Sequence, residues 1–251
     1  MDAFKRLKFG FCVWGITALL SCASIYQQNP VQAKIEYRQA IEAKSINAKS
    51  EMYAHLNKAI QMDPTEPNFH LALGIAYLED GDLKNAEEEF YKTLKIDSNY
   101  IEAHRNLGRL YVTLGKWDKA IFELRQSLKK PGVSAPQEVY NWLALCYYSK
   151  SDIDKAMTEW QNALKIQESA FIRLNLALAL KEIESDELAV NSLKKALSLK
   201  PKLIRARHEL ALLLLKKKDF DGAKKQFKHV LQMDKEGKFA PEAREYLQLI
   251  P

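Results

Sequence analysis

Along most of this chain apolar residues return every three or four positions, in runs a few turns long broken by short polar stretches. That spacing predicts amphipathic helices, and nothing alternates as strands would. The helices come in pairs that repeat. Pro67 to Tyr100 is 34 residues long and the next 34 restate it: Leu73-Gly74 becomes Leu107-Gly108, Tyr77 becomes Tyr111, Ala86 becomes Ala120, Phe90 becomes Leu124, and His70 recurs as His104. Within each unit the eighth, twentieth and twenty-seventh positions are small, which lets two helices approach closely. The eleventh and twenty-fourth are large and fill the neighbouring holes. Ala144, Ala156 and Ala163 with Tyr147 and Trp160 continue the frame after a two-residue insertion around Pro136. Ala177, Ala189 and Ala196 with Leu180 and Leu193 follow, then Ala211, Ala223 and Val230 with Leu214 and Phe227. Ala40, Met52, Leu56 and Ala59 make a poorer first copy. The frame predicts six units at 33–66, 67–100, 101–134, 137–169, 170–203 and 204–237, and a closing helix over 239–250.

This order of small and large residues, at this period, resembles the tetratricopeptide repeat. The resemblance implies an all-α fold, a right-handed superhelical solenoid of about six helix-turn-helix units with a C-terminal capping helix. Such a stack needs no single deep core, because each unit buries its face on the next. The expected turns fall at Glu79-Asp80-Gly81-Asp82, Leu114-Gly115-Lys116, Lys150-Ser151-Asp152, Ser185-Asp186 and Lys218-Asp219. Aspartates there can accept the free N–H groups that open each second helix. Pro64, Pro131 and Pro201 fall between units, where a missing N–H costs little.

The amino terminus breaks the pattern. Lys5, Arg6 and Lys8 precede an apolar run from Phe9 to Leu20. Spanning a bilayer takes roughly 20 apolar residues, so the run reads as a secretory signal peptide over 1–21 rather than an anchor. Its end, Leu19-Leu20-Ser21-Cys22, resembles the lipobox of bacterial lipoproteins. That resemblance implies cleavage before Cys22 and lipidation of it. The residue after the cysteine is Ala23 rather than aspartate, which by the same resemblance points to the outer membrane, on its periplasmic face. Residues 22–32 read as a short lipid-anchored tether to the repeat domain, 33–251.

Charge changes the picture at the other end. The formal balance of +6 is uneven: Lys194 to Lys238 holds fourteen Lys/Arg against five Asp/Glu, a local +9. An exported, membrane-tethered chain is not expected to bind nucleic acid, and the lysines there are expected on a solvated face. Three cysteines give no disulfide framework, and Cys146, in an apolar helix, reads as a small buried hydrophobe. No motif for a nucleophile, a phosphate loop or a zinc site is present, so neither catalytic nor metal residues are assigned, no cofactor is expected, and no small-molecule substrate is implied. His70 and His104 lie a full repeat apart, too far for one metal ion, and read as packing or surface residues. Glu87-Glu88-Glu89 reads as a solvated outer face.

What the repeat resemblance does imply is a binding groove. In that family the first helix of each unit lines the concave surface through its second, fifth, ninth and twelfth positions. Here these fall on Tyr37 and Ile41 in the first unit and Leu71, Ile75 and Leu78 in the second. The third supplies Arg105, Arg109 and Val112, and the fourth Asn141, Leu145 and Tyr148. Phe171, Leu174 and Leu178 follow, then His208, Leu212 and Leu215. An apolar stripe at such positions is a candidate site for a partner's apolar segment, with Arg105 and Arg109 placed to orient an acidic group on it.

Lipobox, tether, six repeats and closing helix together resemble the type IV pilus biogenesis lipoproteins of the PilF, PilW and Tgl group. Those act as pilotins that help secretin subunits reach and assemble in the outer membrane. The resemblance implies a non-enzymatic assembly factor whose partner is the pilus secretin. A scaffold for cell-wall enzymes or proteases, its basic end meeting acidic envelope polymers, is the other reading.

Overall fold

The computed structural model describes residues 29–251, and the leader, Cys22 and the tether as far as residue 28 lie outside the described residues. Thirteen helices and no strand make up the described part, in six antiparallel pairs and a single last helix. The pairs are α1 (Pro30–Ser45) with α2 (Lys49–Met62), α3 (Pro67–Glu79) with α4 (Leu83–Ile96), and α5 (Ile101–Thr113) with α6 (Trp117–Ser127). Then come α7 (Pro136–Ser149) with α8 (Ile153–Ile166), α9 (Ala170–Glu182) with α10 (Asp186–Leu199), and α11 (Ile204–Lys216) with α12 (Phe220–Met233). Helix α13 (Ala240–Leu249) packs on α12 and covers the end of the stack. The first helix starts at Pro30, inside the stretch expected to be tether. Its Asn29 side chain accepts from the Gln32 N–H, and proline at the first turn sacrifices no hydrogen bond.

Each turn inside a pair is built the same way. Asn47, Gly81, Gly115, Ser151, Glu184 and Lys218 all have a left-handed φ, between 57° and 81°. The N–H after each of them bonds back to the eleventh residue of its unit, as in Asp82 to Tyr77 and Asp219 to Leu214, both at 2.9 Å. This is the Schellman closure of a helix C-terminus. Asp82, Asp152 and Asp219 then cap the N-termini of α4, α8 and α12. A local hydrogen-bond motif therefore resets the chain direction at a fixed repeat position, whether or not glycine stands there.

The small positions seat the pairs. Ala86, Ala120, Ala144, Ala156, Ala163, Ala189, Ala196, Ala211 and Ala223 are fully buried, as are Phe90, Leu124 and Phe227 at the large position that follows. At Gly74 and Gly108 the approach is closer still: a Cβ on Gly108 would lie 2.5 Å from the Leu124 side chain. Each second helix also packs against the first helix of the next unit, so burial runs through the stack as a chain of clusters.

Candidate functional site

The first helices of the units stand side by side, α3 touching α5 and α5 touching α7, and form the inner face of the superhelix. Its residues differ in how far they are free. At the amino-terminal end Tyr37, Ile41, Leu71 and Ile75 line one cleft of about 140 Å³ between α1, α2 and α3, floored by Ala40, Met52 and Leu56. Tyr37 is held against Phe69 at 5.1 Å between ring centres, and Lys44 at the rim is bonded to Glu79. The cleft is therefore apolar, preformed and open, with its one cation already neutralised. Ile41 is 46% exposed within it. Leu78 and Val112 continue this face, half-buried against the core beneath.

The middle of the face is polar. Arg105 donates to Glu138 at 2.8 Å, lies 3.5 Å from Glu102, and stacks over Trp142 at 5.3 Å. It is committed within the chain, which corrects the expectation that it orients a partner's acidic group. Arg109, one turn further on, is exposed and makes no ion pair among the described residues. The Asn141 carbonyl accepts from the buried Trp160 indole at 3.0 Å, which fixes the direction of its amide. Asn141 and Phe171 line a second, more polar cleft of about 330 Å³ with Gln137, Glu138, Gln167 and Glu168. Phe171 is 54% exposed, with the Lys200 ammonium 4.4 Å from its ring centre. Tyr148 donates to Glu182, and burial together with that carboxylate pushes its phenol up to about 12.

Two expected groove residues are not on the open face. Leu174 is 4% exposed, sealed into the cluster that joins the fourth, fifth and sixth units. His208 is 3% exposed, its ring 4.8 Å from that of Phe239 and 6.0 Å from that of Phe227, beneath the closing segment. The cap reproduces for the last unit the packing a further repeat would supply, so the position that would be inner surface becomes core. Leu145, Leu178, Leu212 and Leu215 remain half-exposed, packed at one side against the clusters below.

The recurring histidines do more than fill space. His70 Nδ1 donates to Glu89 at 2.7 Å and His104 Nδ1 to Glu123 at 2.6 Å, each pair 19 residues apart between the two helices of one unit. In the first unit the partners are exchanged, Glu36 on α1 and His55 on α2, at 2.6 Å. Arg207 and Gln226 make the equivalent rung in the last unit. Glu89 is therefore buried, and Glu87 is bound by the Tyr111 hydroxyl, so only Glu88 of that triplet stands on a solvated face as expected. The co-recurrence of His at the fourth position and Glu at the twenty-third was the signal for these pairs. Burial opposes charge on His104, yet Glu123 and the Ser98 carbonyl hold its pKa above the ordinary value. Burial likewise opposes charge on Glu89, but His70 and Lys92 hold it below the ordinary carboxylate range.

Among the described residues no three His, Cys, Asp or Glu side chains are placed to hold a metal ion. Cys146 is buried, and burial alone pushes its thiol up to about 12. No described helix is long and apolar enough to cross a membrane.

A stack of helical pairs with an open inner face, apolar at its amino-terminal end and polar in the middle, is a protein-interaction scaffold. Tetratricopeptide-repeat family models match residues 55–88, 77–134, 172–203 and 204–236, and the chain belongs to that family. Among solved structures it is similar to Pseudomonas aeruginosa PilF, with a TM-score of 0.74 at 16% identity, covering 85% of this chain and 96% of that one. It is similar also to PilW, described as a widely conserved type IV pilus biogenesis factor, with a TM-score of 0.71 at 16% identity over 88% and 99% of the two chains. At such identities the likeness is one of fold. An uncharacterized Haemophilus influenzae protein is 24% identical over 134 residues, 53% of this chain and 74% of that protein. Other relatives are much longer: the match to the Bos taurus BBSome member BBS4, at 24% identity, spans 71% of this chain and 34% of that protein.

Proposed function

We propose that this protein is a lipid-anchored assembly factor of the cell envelope, whose inner face holds an apolar segment of the type IV pilus secretin while the ring forms in the outer membrane. The observation that carries this reading is the preformed apolar cleft of Tyr37, Ile41, Leu71 and Ile75, open to solvent at the amino-terminal end of the solenoid, the end that follows Cys22 in sequence. Apolar area left uncovered on a folded protein is stabilised by a partner that covers it. The fold likeness to PilF and PilW supports the choice of a pilus partner, and the basic, apolar, Ser21-Cys22 leader supports the outer-membrane anchor. In this scheme Arg109, on the repeat position that Ile75 and Leu145 occupy in the flanking units, meets the one acidic residue of an otherwise apolar segment.

The test replaces Ile41 and Phe171, both exposed, with glutamate in the full chain. Circular dichroism and thermal melting are expected to match the native protein, while detergent-resistant secretin multimers disappear from immunoblots. Cys22→Ser is expected to leave the repeat domain folded but release it from the outer membrane. Normal secretin multimers in the Ile41→Glu/Phe171→Glu strain would rule the groove out. Recovery of a cell-wall hydrolase instead of the secretin in a cross-linked complex would replace this reading by the scaffold one.

A further inference from the structure

The last two units carry positive charge that the solenoid does not neutralise itself. Lys216 and Lys217 meet Asp186 and Glu187, and Arg207 is absorbed by Gln226 and the Pro201 carbonyl. Lys194 and Lys195 on α10 and Lys225 and Lys228 on α12 are different. None makes an ion pair among the described residues, and all four lie on the outward side of second helices. Lys194 and Lys228 share one repeat position, which earlier units fill with Tyr91, Arg125 (bound to Glu159) and Gln161. Lys225 stands where Asn191, Thr158, Phe122 and Glu88 stand elsewhere. At these positions earlier units carry neutral or acidic residues, or a cation bound to a carboxylate, as Arg125 is to Glu159 and Lys92 to Glu88 and Glu89, so the fold does not require unpaired lysines there.

Aliphatic residues emerge beside them. Leu199, one turn beyond Lys195, is 48% exposed and Met233, one turn beyond His229, is 38% exposed. Ile96 and Ile166 hold the equivalent position in earlier units, where Lys92, one turn before Ile96, is bound to Glu88 and Glu89, so the apolar residue belongs to the repeat and the cluster of unpaired lysines around it is what marks this end. We propose that the outer face of α10 and α12 is a docking surface for an anionic phospholipid membrane. Lysines clustered on a helical face are drawn to a negatively charged leaflet, and side chains such as Leu199 and Met233 enter the boundary between headgroups and acyl chains. Single-stranded nucleic acid would call for exposed aromatic rings to stack its bases, and this face offers aliphatic residues instead. The surface is independent of the inner groove and of whatever that groove holds.

The experiment compares the full chain with Lys194→Gln/Lys195→Gln/Lys225→Gln/Lys228→Gln by co-sedimentation with vesicles. One set is phosphatidylcholine alone and the other contains phosphatidylglycerol. Each lysine near an anionic surface is worth roughly fivefold in affinity, so the quadruple variant is expected to lose about six hundredfold on the anionic vesicles if all four reach the surface, and about thirtyfold if two do. Binding to phosphatidylcholine should be unchanged, and the corresponding Lys→Arg variant should keep its affinity. Comparing variants cancels whatever the amino-terminal residues add. Equal anionic binding by the native chain and the Gln variant would overturn the proposal. So would tighter binding to polyglutamate or DNA than to the anionic vesicles at the same salt.

Discussion

Replacing Gly108 by alanine tests the idea that the small eighth position sets the spacing within a pair. In a helix interior the change should help, because alanine is favoured over glycine by about 1 kcal/mol. Here the added Cβ would fall 2.5 Å from both Cγ and Cδ2 of Leu124, and 3.2 Å from the Leu124 backbone nitrogen. Leu124 is fully buried and has no free direction in which to turn, and the backbone nitrogen moves only if α6 moves. Overpacking of this kind costs typically 1–3 kcal/mol, and a clash involving backbone belongs at the upper end. The expected net is a loss of roughly 2 kcal/mol once the helix preference is subtracted. Because repeat arrays do not always unfold in one step, the local readout is amide exchange in α5 and α6 against α11 and α12, with urea unfolding by circular dichroism beside it. Protection should fall in the third unit and its neighbours first. Truncating Leu124 to alanine removes Cγ and Cδ2 and leaves only the 3.2 Å approach to the backbone nitrogen, so Gly108→Ala in that background should cost far less than in the native chain. Native-like protection and stability in the single Gly108→Ala variant would refute the argument.

The remaining expectations concern charge, turns and the thiol. Since the pKa of His104 is raised above the ordinary 6.5, its pairing with Glu123 stabilises fully below about that pH and is lost as pH rises through the raised value. Glu36 and Glu89, held below 4.5, contribute above that pH and lose their contribution as pH falls through the lowered values. Melting temperature should therefore peak between these limits, and Glu123→Gln should flatten its alkaline side; an unchanged alkaline slope would exclude the pair as its cause. Lys218→Gly and Glu184→Gly, at φ of 63° and 57°, should each raise stability by up to about 1 kcal/mol in urea unfolding. A loss in both would show that the left-handed turn is not strained. Cys146 should resist thiol reagents at neutral pH until the chain is unfolded, and rapid labelling of the native protein would contradict its burial.

The sequence alone determined the architecture, because a repeat writes its packing into a short stretch and then copies it. Alanine or glycine at the eighth position and a large residue at the twenty-fourth are steric requirements inside one pair, and periodicity exposes them. The turns were legible for the same reason, although glycine marks only two of the six left-handed positions. What only the tertiary structure decided is which inner-face residues remain free. Arg105 and Glu138 are 33 residues apart and meet because α5 and α7 stand side by side, so a guanidinium that looked available is already bound. His208 lost its surface to Phe239 and α13, and Leu174 lost its own to the neighbouring unit, through contacts set by the angle at which each unit stacks on the next. Glu89 was hidden in the same way, since a carboxylate on an exposed-looking helix face is buried only when the facing helix brings a histidine to it. Periodicity records which residues a unit needs for its own packing, and covering of the inner face depends on side chains a repeat or more away.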